Sequence, residues 1–240
     1  MPAYYNEIEP FAAQWLRNLI SAGHIAAGDV DERSIVDVQP DDLIGYEQCH
    51  FFAGIGGWSY AARLAGWPDT RPAWSASCPC QPFSAAGRQG GFSDSRDLWP
   101  EVTRLIGERR PPVLFGEQVT SAAWIARCKG DMEAMGYAVG TVPIKARTVG
   151  AKHGRPRQWF VADAKWDEQS RQEPRSGEAR RVGRVVKPFP WDEPWESTLS
   201  RLRIVGDGLP RNVGATDAAR NSIVPQVAAE FIAAYMDIAA

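Results

Sequence analysis

Between residues 8 and 21 the apolar positions Phe11, Trp15, Leu16 and Leu19 recur near helical spacing, which predicts an amphipathic helix ended by Gly23. Residues 24–46 read as a second short acidic element with loops. The apolar run 49–52 stops at a glycine cluster and reads as a strand, and 59–65 supplies the helix after it. A strand over 72–78 follows, then a Gly- and Ser-rich loop from 84 to 96. Beyond it the pattern predicts a helix over 97–110 capped by Asp94 or Asp97, a strand over 112–115 and a helix over 121–135. Strands over 137–144 and 158–162 come next, and a helix entered near Pro225 closes the chain over 223–240. Strands alternating with helices predict an α/β domain with a mostly parallel sheet.

Residues 164–197 break this rhythm. They show no apolar periodicity, and within 169–188 six bases (Arg171, Arg175, Arg180, Arg181, Arg184, Lys187) face two acids (Glu173, Glu178). They read as a basic insert. The composition, with 44% hydrophobic and 23% charged residues among 240, is that of a soluble globular protein and excludes collagen-like, wholly disordered and disulfide-scaffold chains. No apolar run approaches the roughly 18 residues of a membrane span. The four cysteines form no C-x-x-C pair, so they are expected as reduced thiols of a cytoplasmic protein, without a metal site. Charge is uneven: residues 1–50 carry −7 and the remainder +5, which permits a polyanion partner on one side.

Two motifs carry candidate chemistry. Phe52, Ala53, Gly54, Ile55, Gly56 and Gly57 follow a strand and open a helix, where glycines let a ligand approach backbone N–H groups. A glycine-rich turn with no ligand is the blander reading. The second motif is Ser77-Cys78-Pro79-Cys80-Gln81-Pro82-Phe83-Ser84. It holds a cysteine at a strand end between two prolines, placed for exposure as a thiolate. A buried structural thiol is the alternative for each cysteine taken singly, and the absence of nearby ligand partners argues against zinc.

Together these motifs resemble the DNA cytosine-5 methyltransferases, and more pieces follow in the family's order. Residues 87–98 look like its catalytic loop, and Gly116-Glu117-Gln118-Val119 stands where the family has Glu-Asn-Val. His153-Gly154-Arg155-Pro156-Arg157 resembles Gln-x-Arg-x-Arg, and residues 221–227, starting Asn221-Ser222, resemble the C-terminal motif that returns beside the cofactor. The compact size is similar to phage and prophage members. The resemblance implies a class I methyltransferase (Rossmann-like) sheet flanked by helices, S-adenosylmethionine as cofactor and DNA as partner. It implies Cys80 as the nucleophile on cytosine C6, with Glu117 meeting the charge on N3 and Arg155 and Arg157 holding the base or a phosphate. Cofactor binding then falls to Phe52, Ala53, Gly54, Ile55, Gly56, Gly57, Asn221 and Ser222.

The sequence also departs from the family. Two further strand–helix units normally stand between the glycine turn and the cysteine, with one acid for the cofactor's ribose and an Asp for its adenine. Here only residues 58–79 intervene, with Asp69 as their sole acid. Either the sheet is reduced or the N-terminal 50 residues refill the space, with Asp69 or an N-terminal acid such as Glu7 as substitute. Weak cofactor binding is expected on this count. Gln118 replaces Asn, and Arg220 stands where the family has Gly.

The expected organisation is an N-terminal helical acidic region (1–46), a catalytic α/β core (47–163), a small inserted recognition segment (164–197) and a C-terminal return (198–240). An insert so short contacts few base edges, so either the target site is short or a partner chain or homodimer completes it. Two other functional classes stay open. One is the same cysteine-adduct chemistry with a different donor; the other is a non-catalytic DNA-binding remnant.

Overall fold

The structure, a computed structural model, describes residues 2–79, 97–151, 154–164 and 222–239. Strands β1 (Ala3–Asn6), β2 (Gly28–Asp31), β3 (Gln48–Phe51), β4 (Ala73–Ala76), β5 (Val113–Gln118), β6 (Ala138–Lys145) and β7 (Pro156–Asp163) form one sheet in the order β2-β1-β3-β4-β5-β7-β6. The first five run parallel; β7 is antiparallel to both β5 and β6. The helices are α1 (Pro10–Ser21), α2 (Gly57–Ala65), α3 (Trp99–Arg109), α4 (Ala122–Ala134) and α5 (Pro225–Ile238).

Alternation along the central strands assigns the layers. Ala73, Val113 and Phe115 face α2 and α5, whereas Trp74 and Leu114 face α3 and α4. Tyr5 and Ala3 pack with Leu16 of α1 and with Ile25. Close approach is built in at Gly116, where a Cβ would sit 1.9 Å from the Phe160 ring.

The N-terminal region differs from its helical reading. It adds two strands to the sheet, so the N-terminal 50 residues do refill the space left by the short 58–79 link. Both strand units lie before the glycine turn in the chain, on the side of β3 away from β4. Neither strand announces itself locally. All four residues of β1 are buried, so it shows no alternation, and it reaches only four residues. Edge strand β2 is Gly-Asp-Val-Asp, poor in strand formers but well suited to an edge, where charge discourages further pairing. Gly28 is required there, because a Cβ would lie 1.9 Å from the Ala3 carbonyl oxygen.

The expected cap of α3 is also corrected. Its N-cap is Leu98 without a side-chain bond, and Asp97 instead pairs with Arg127 of α4. Asp94, the loop over 84–96 and the basic insert fall outside the described residues, and so does Arg220.

Candidate active site

Five parallel strands end at one edge, and ligands of open α/β sheets bind outside the carboxyl ends of the strands. At the end of β3 the chain turns through Phe52 (φ 52°), Gly54 (φ 55°) and Gly56 (φ 81°) into α2. Ala53 and Gly57 are buried within the turn, and Ile55 is half-buried. Gly57 lies so close to the C-terminal return that a Cβ would come within 2.7 Å of Ile223 Cγ1. The segment beginning at Ser222 therefore does come back beside the glycine turn; Asn221 lies outside the described residues.

Strand β1 ends next to β3, with Asn6 opposite Phe51 in register. Glu7 follows at once. Its Oε2 accepts from the Gly54 N–H at 2.7 Å and its Oε1 from the Glu9 N–H at 2.9 Å. Burial raises its pKa, and the two backbone donors work against that rise. A carboxylate offers about four lone-pair positions, so acceptor capacity remains for hydroxyl groups of a ligand. Asp29 on β2 is exposed and accepts from the Tyr46 hydroxyl at 2.8 Å, while Asp31 is bound by Arg33 and Tyr4. Asp69 is not at this edge. It is paired with Arg63 near the end of α2, just ahead of the opposite end of β4. Sequence reasoning left Glu7 as one option; the signal available was an acid just past a short tyrosine run.

The second half of the site lies at the ends of β4, β5 and β7. Glu117 stands opposite Trp159 in the β5–β7 ladder, so Arg157, two residues before Trp159, shares its face. Arg157 Nε is 2.9 Å from Glu117 Oε1, without an N–H aligned well enough for a hydrogen bond. That buried acceptor has no hydrogen-bond partner among the described residues. Glu117 is 8% exposed, and burial raises its pKa, with Arg157 and Arg155 opposing. Burial therefore favours the protonated form of this carboxyl more than in a free side chain. Arg155 is placed differently: its Nη2 donates to the Ser222 carbonyl at 2.7 Å, tying the C-terminal return to β7. It holds this with a non-glycine residue at φ 34°.

Cys80 itself lies outside the described residues. The strand that leads to it does not: Ala76 of β4 pairs with Gly116, one residue before Glu117. The three described cysteines (Cys49, Cys78, Cys128) are buried, and burial raises all three thiols well above their ordinary value. Among the described residues no cluster of His, Cys, Asp and Glu is suited to a metal, and no helix is long and apolar enough to cross a membrane.

The sheet order and the paired edge sites define a methyltransferase-type α/β fold. Among solved structures the Dnmt2 methyltransferase of S. pombe matches over 99% of both chains with a TM-score of 0.50 at 12% identity, a likeness of fold. Residues 72–190, just under half of the chain, match the model of the C-5 cytosine-specific DNA methylases, which supports that family for this chain. Type II methyltransferase M.NlaX of Neisseria lactamica is 24% identical over 78% of this chain and 52% of its own length. M.HhaI of Haemophilus parahaemolyticus is 31% identical over 36% of this chain and 28% of its own. M.NaeI of Lentzea aerocolonigenes is 25% identical over 88% and 46%. The chain thus spans about half, or less, of the curated relatives it matches.

Proposed function

We propose that the protein transfers a methyl group from S-adenosylmethionine to C5 of cytosine in DNA through a covalent Cys80 adduct on C6. The observation that carries this reading is the placement of buried Glu117, beside Arg157, against the strand end from which residue 80 departs. Cytosine C5 is a poor nucleophile. Thiolate attack on C6, with protonation of N3, converts the ring into an enamine nucleophilic at C5. Glu117 is the group to donate that proton and to accept from the N4 amine, and Arg157 holds the carboxyl in place. Loss of the C5 proton after methyl transfer lets the ring expel Cys80. Because C6 is inaccessible in a stacked duplex, the base must leave the helix first.

The cofactor supplies an electrophilic methyl group when bound. The residues present fit it. The positive-φ turn at Phe52–Gly57 exposes backbone beside a helix N-terminus, and Glu7, bound to the turn itself, has acceptor capacity for ribose hydroxyls. Glu7 supplies one carboxylate at the turn in place of the two the family normally offers, so cofactor binding weaker than in a full-length relative stays the expectation. Arg155, given its bond to Ser222, acts by fixing the C-terminal return rather than by touching the base.

Incubation with labelled S-adenosylmethionine and mixed-sequence duplex DNA, followed by nucleoside mass spectrometry, tests the proposal. Labelled 5-methylcytosine is expected. Cofactor binding without any product would favour the DNA-binding remnant.

A further inference from the structure

We propose that Trp58 and Gln118 are positioning residues for the nucleophile, clamping the chain between the end of β4 and residue 80 from its two sides. This rests on the reading of Cys80 as nucleophile. The β4–β5 ladder stops at the pair Ala76–Gly116, so backbone pairing no longer sets the register of Ser77, Cys78 and Pro79. Two side-chain bonds take over where it stops.

On one side, Trp58 Nε1 donates to Ser77 Oγ at 2.9 Å. Trp58 is the second residue of α2, directly after the glycine turn, and is 4% exposed. Its ring packs edge-on against Trp159 at 5.5 Å and stacks with Phe115 at 6.2 Å, so the indole N–H has little freedom to move. On the other side, Gln118 Nε2 donates to the Cys78 carbonyl at 3.2 Å, while its Oε1 accepts from the Val119 N–H at 2.9 Å. Gln118 is 1% exposed, and both ends of its amide are used, which settles the orientation of the group. An asparagine there would be one methylene too short for both bonds with the strands where they are.

The consequence is geometric. Ser77 is referenced to the helix that begins at the glycine turn, and Cys78 to the residue beside Glu117. The departure point of residue 80 is thereby fixed relative to both halves of the site. Misplacement by about 1 Å costs on the order of a hundredfold in rate, so such a reference matters.

Trp58→Phe removes the donor together with part of the packed ring, Ser77→Ala removes only the acceptor, and Gln118→Met only the amide. Two readouts are taken on the full chain. One is kcat and KM for methyl transfer; the other is the rate of Cys80 alkylation by iodoacetamide across pH 6–10, mapped by peptide mass spectrometry against the buried cysteines. Each substitution is expected to lower kcat by roughly 5- to 50-fold with KM for the cofactor within about twofold, and to change the alkylation profile at least about threefold. Ser77→Thr is expected to restore both readouts, and Trp58→Phe with Ser77→Ala to cost no more than the worse single change.

Profiles and kcat within about twofold of wild type in Trp58→Phe, Ser77→Ala and Gln118→Met would overturn the proposal. Should a core variant fail to fold, the Ser77 pair decides, since Ser77 is only half-buried. If the wild-type protein methylates nothing, the functional reading fails on its own account, while the alkylation profiles still decide the clamp.

Discussion

The two halves of the sheet edge hold their carboxylates in opposite ways. On the β2-β1-β3 side Glu7 is bound by two backbone N–H groups, one from the glycine turn itself, so its charge has hydrogen-bonded compensation. On the β4-β5-β7 side Glu117 is buried with its Oε1 2.9 Å from Arg157 Nε. Burial raises both pKa values, and the proposed chemistry calls for a proton only at Glu117. In the proposed reaction the first half would hold a ligand still and the second would exchange a proton. The difference is one of partner, backbone N–H groups for Glu7 against a guanidinium for Glu117, not of residue type.

That contrast is sharpest at the nucleophile. Cys80→Ser is expected to abolish turnover while cofactor affinity stays, and Cys78→Ser to retain most activity per folded molecule. Equal loss from both, measured by product mass spectrometry, would reassign the nucleophile. Glu117→Gln is expected to cost roughly 10²- to 10⁴-fold in kcat with little change in KM for the cofactor, as steady-state kinetics will read.

Glu7→Gln attacks the other half. Losing a charge-assisted acceptor worth about 1.5–3 kcal/mol should weaken cofactor binding by roughly 10- to 150-fold in titration calorimetry, with chemistry at saturating cofactor much less affected. A pure kcat effect would erase the division between the halves. Neutralising Arg180, Arg181 and Arg184, outside the described residues, should leave cofactor affinity alone. It should flatten the slope of log DNA affinity against log salt by about 0.9 per lost contact.

The smallest effect concerns stability. His50, at the centre of the cofactor half, is fully buried, stacks on Tyr5 at 5.1 Å and shares a hydrogen bond with Ser75 at 2.8 Å. Burial pushes its pKa down to about 3. The unfolded chain therefore binds this proton first as pH falls. The stability His50 allows is fully present above its ordinary value near 6.5 and declines toward pH 3, by at most about 1.4 kcal/mol per pH unit. The raised carboxyls of Glu7 and Glu117 act in the opposite sense, so the test is a difference. Denaturant melts of wild type and His50→Phe between pH 7 and 4.5 should converge as pH drops. Parallel curves would show that His50 carries no proton-linked stability.

Much of the β4-β5-β7 side, together with β3, was legible in the sequence. β3, β4, β5 and the helices between them follow apolar runs and periodicities strong enough to stand alone, and Glu117 and Arg157 fall in motifs read from the resemblance, while the β5–β7 pairing that brings them together is tertiary. The β2-β1 side was not. Tyr4 and Tyr5 sit in a four-residue stretch without alternation, and Asp29 and Asp31 argue locally for a loop. These segments are strands because β3 offers β1 an open edge and β1 then offers one to β2, a pairing energy that no local pattern records.

The sequence by itself determined the order of the chemical motifs, the break in α/β rhythm at 164–197 and the shortness of the link from Gly57 to Cys80. Only the tertiary structure decided what that shortness means. Parallel strands pair through crossovers whose place in the chain is free, so two units that precede the glycine turn complete the same sheet as two that follow it, and Glu7 reaches Gly54 across 47 residues. The same holds for Trp58 with Ser77 and Gln118 with Cys78, contacts set by which strands become neighbours rather than by any spacing along the chain.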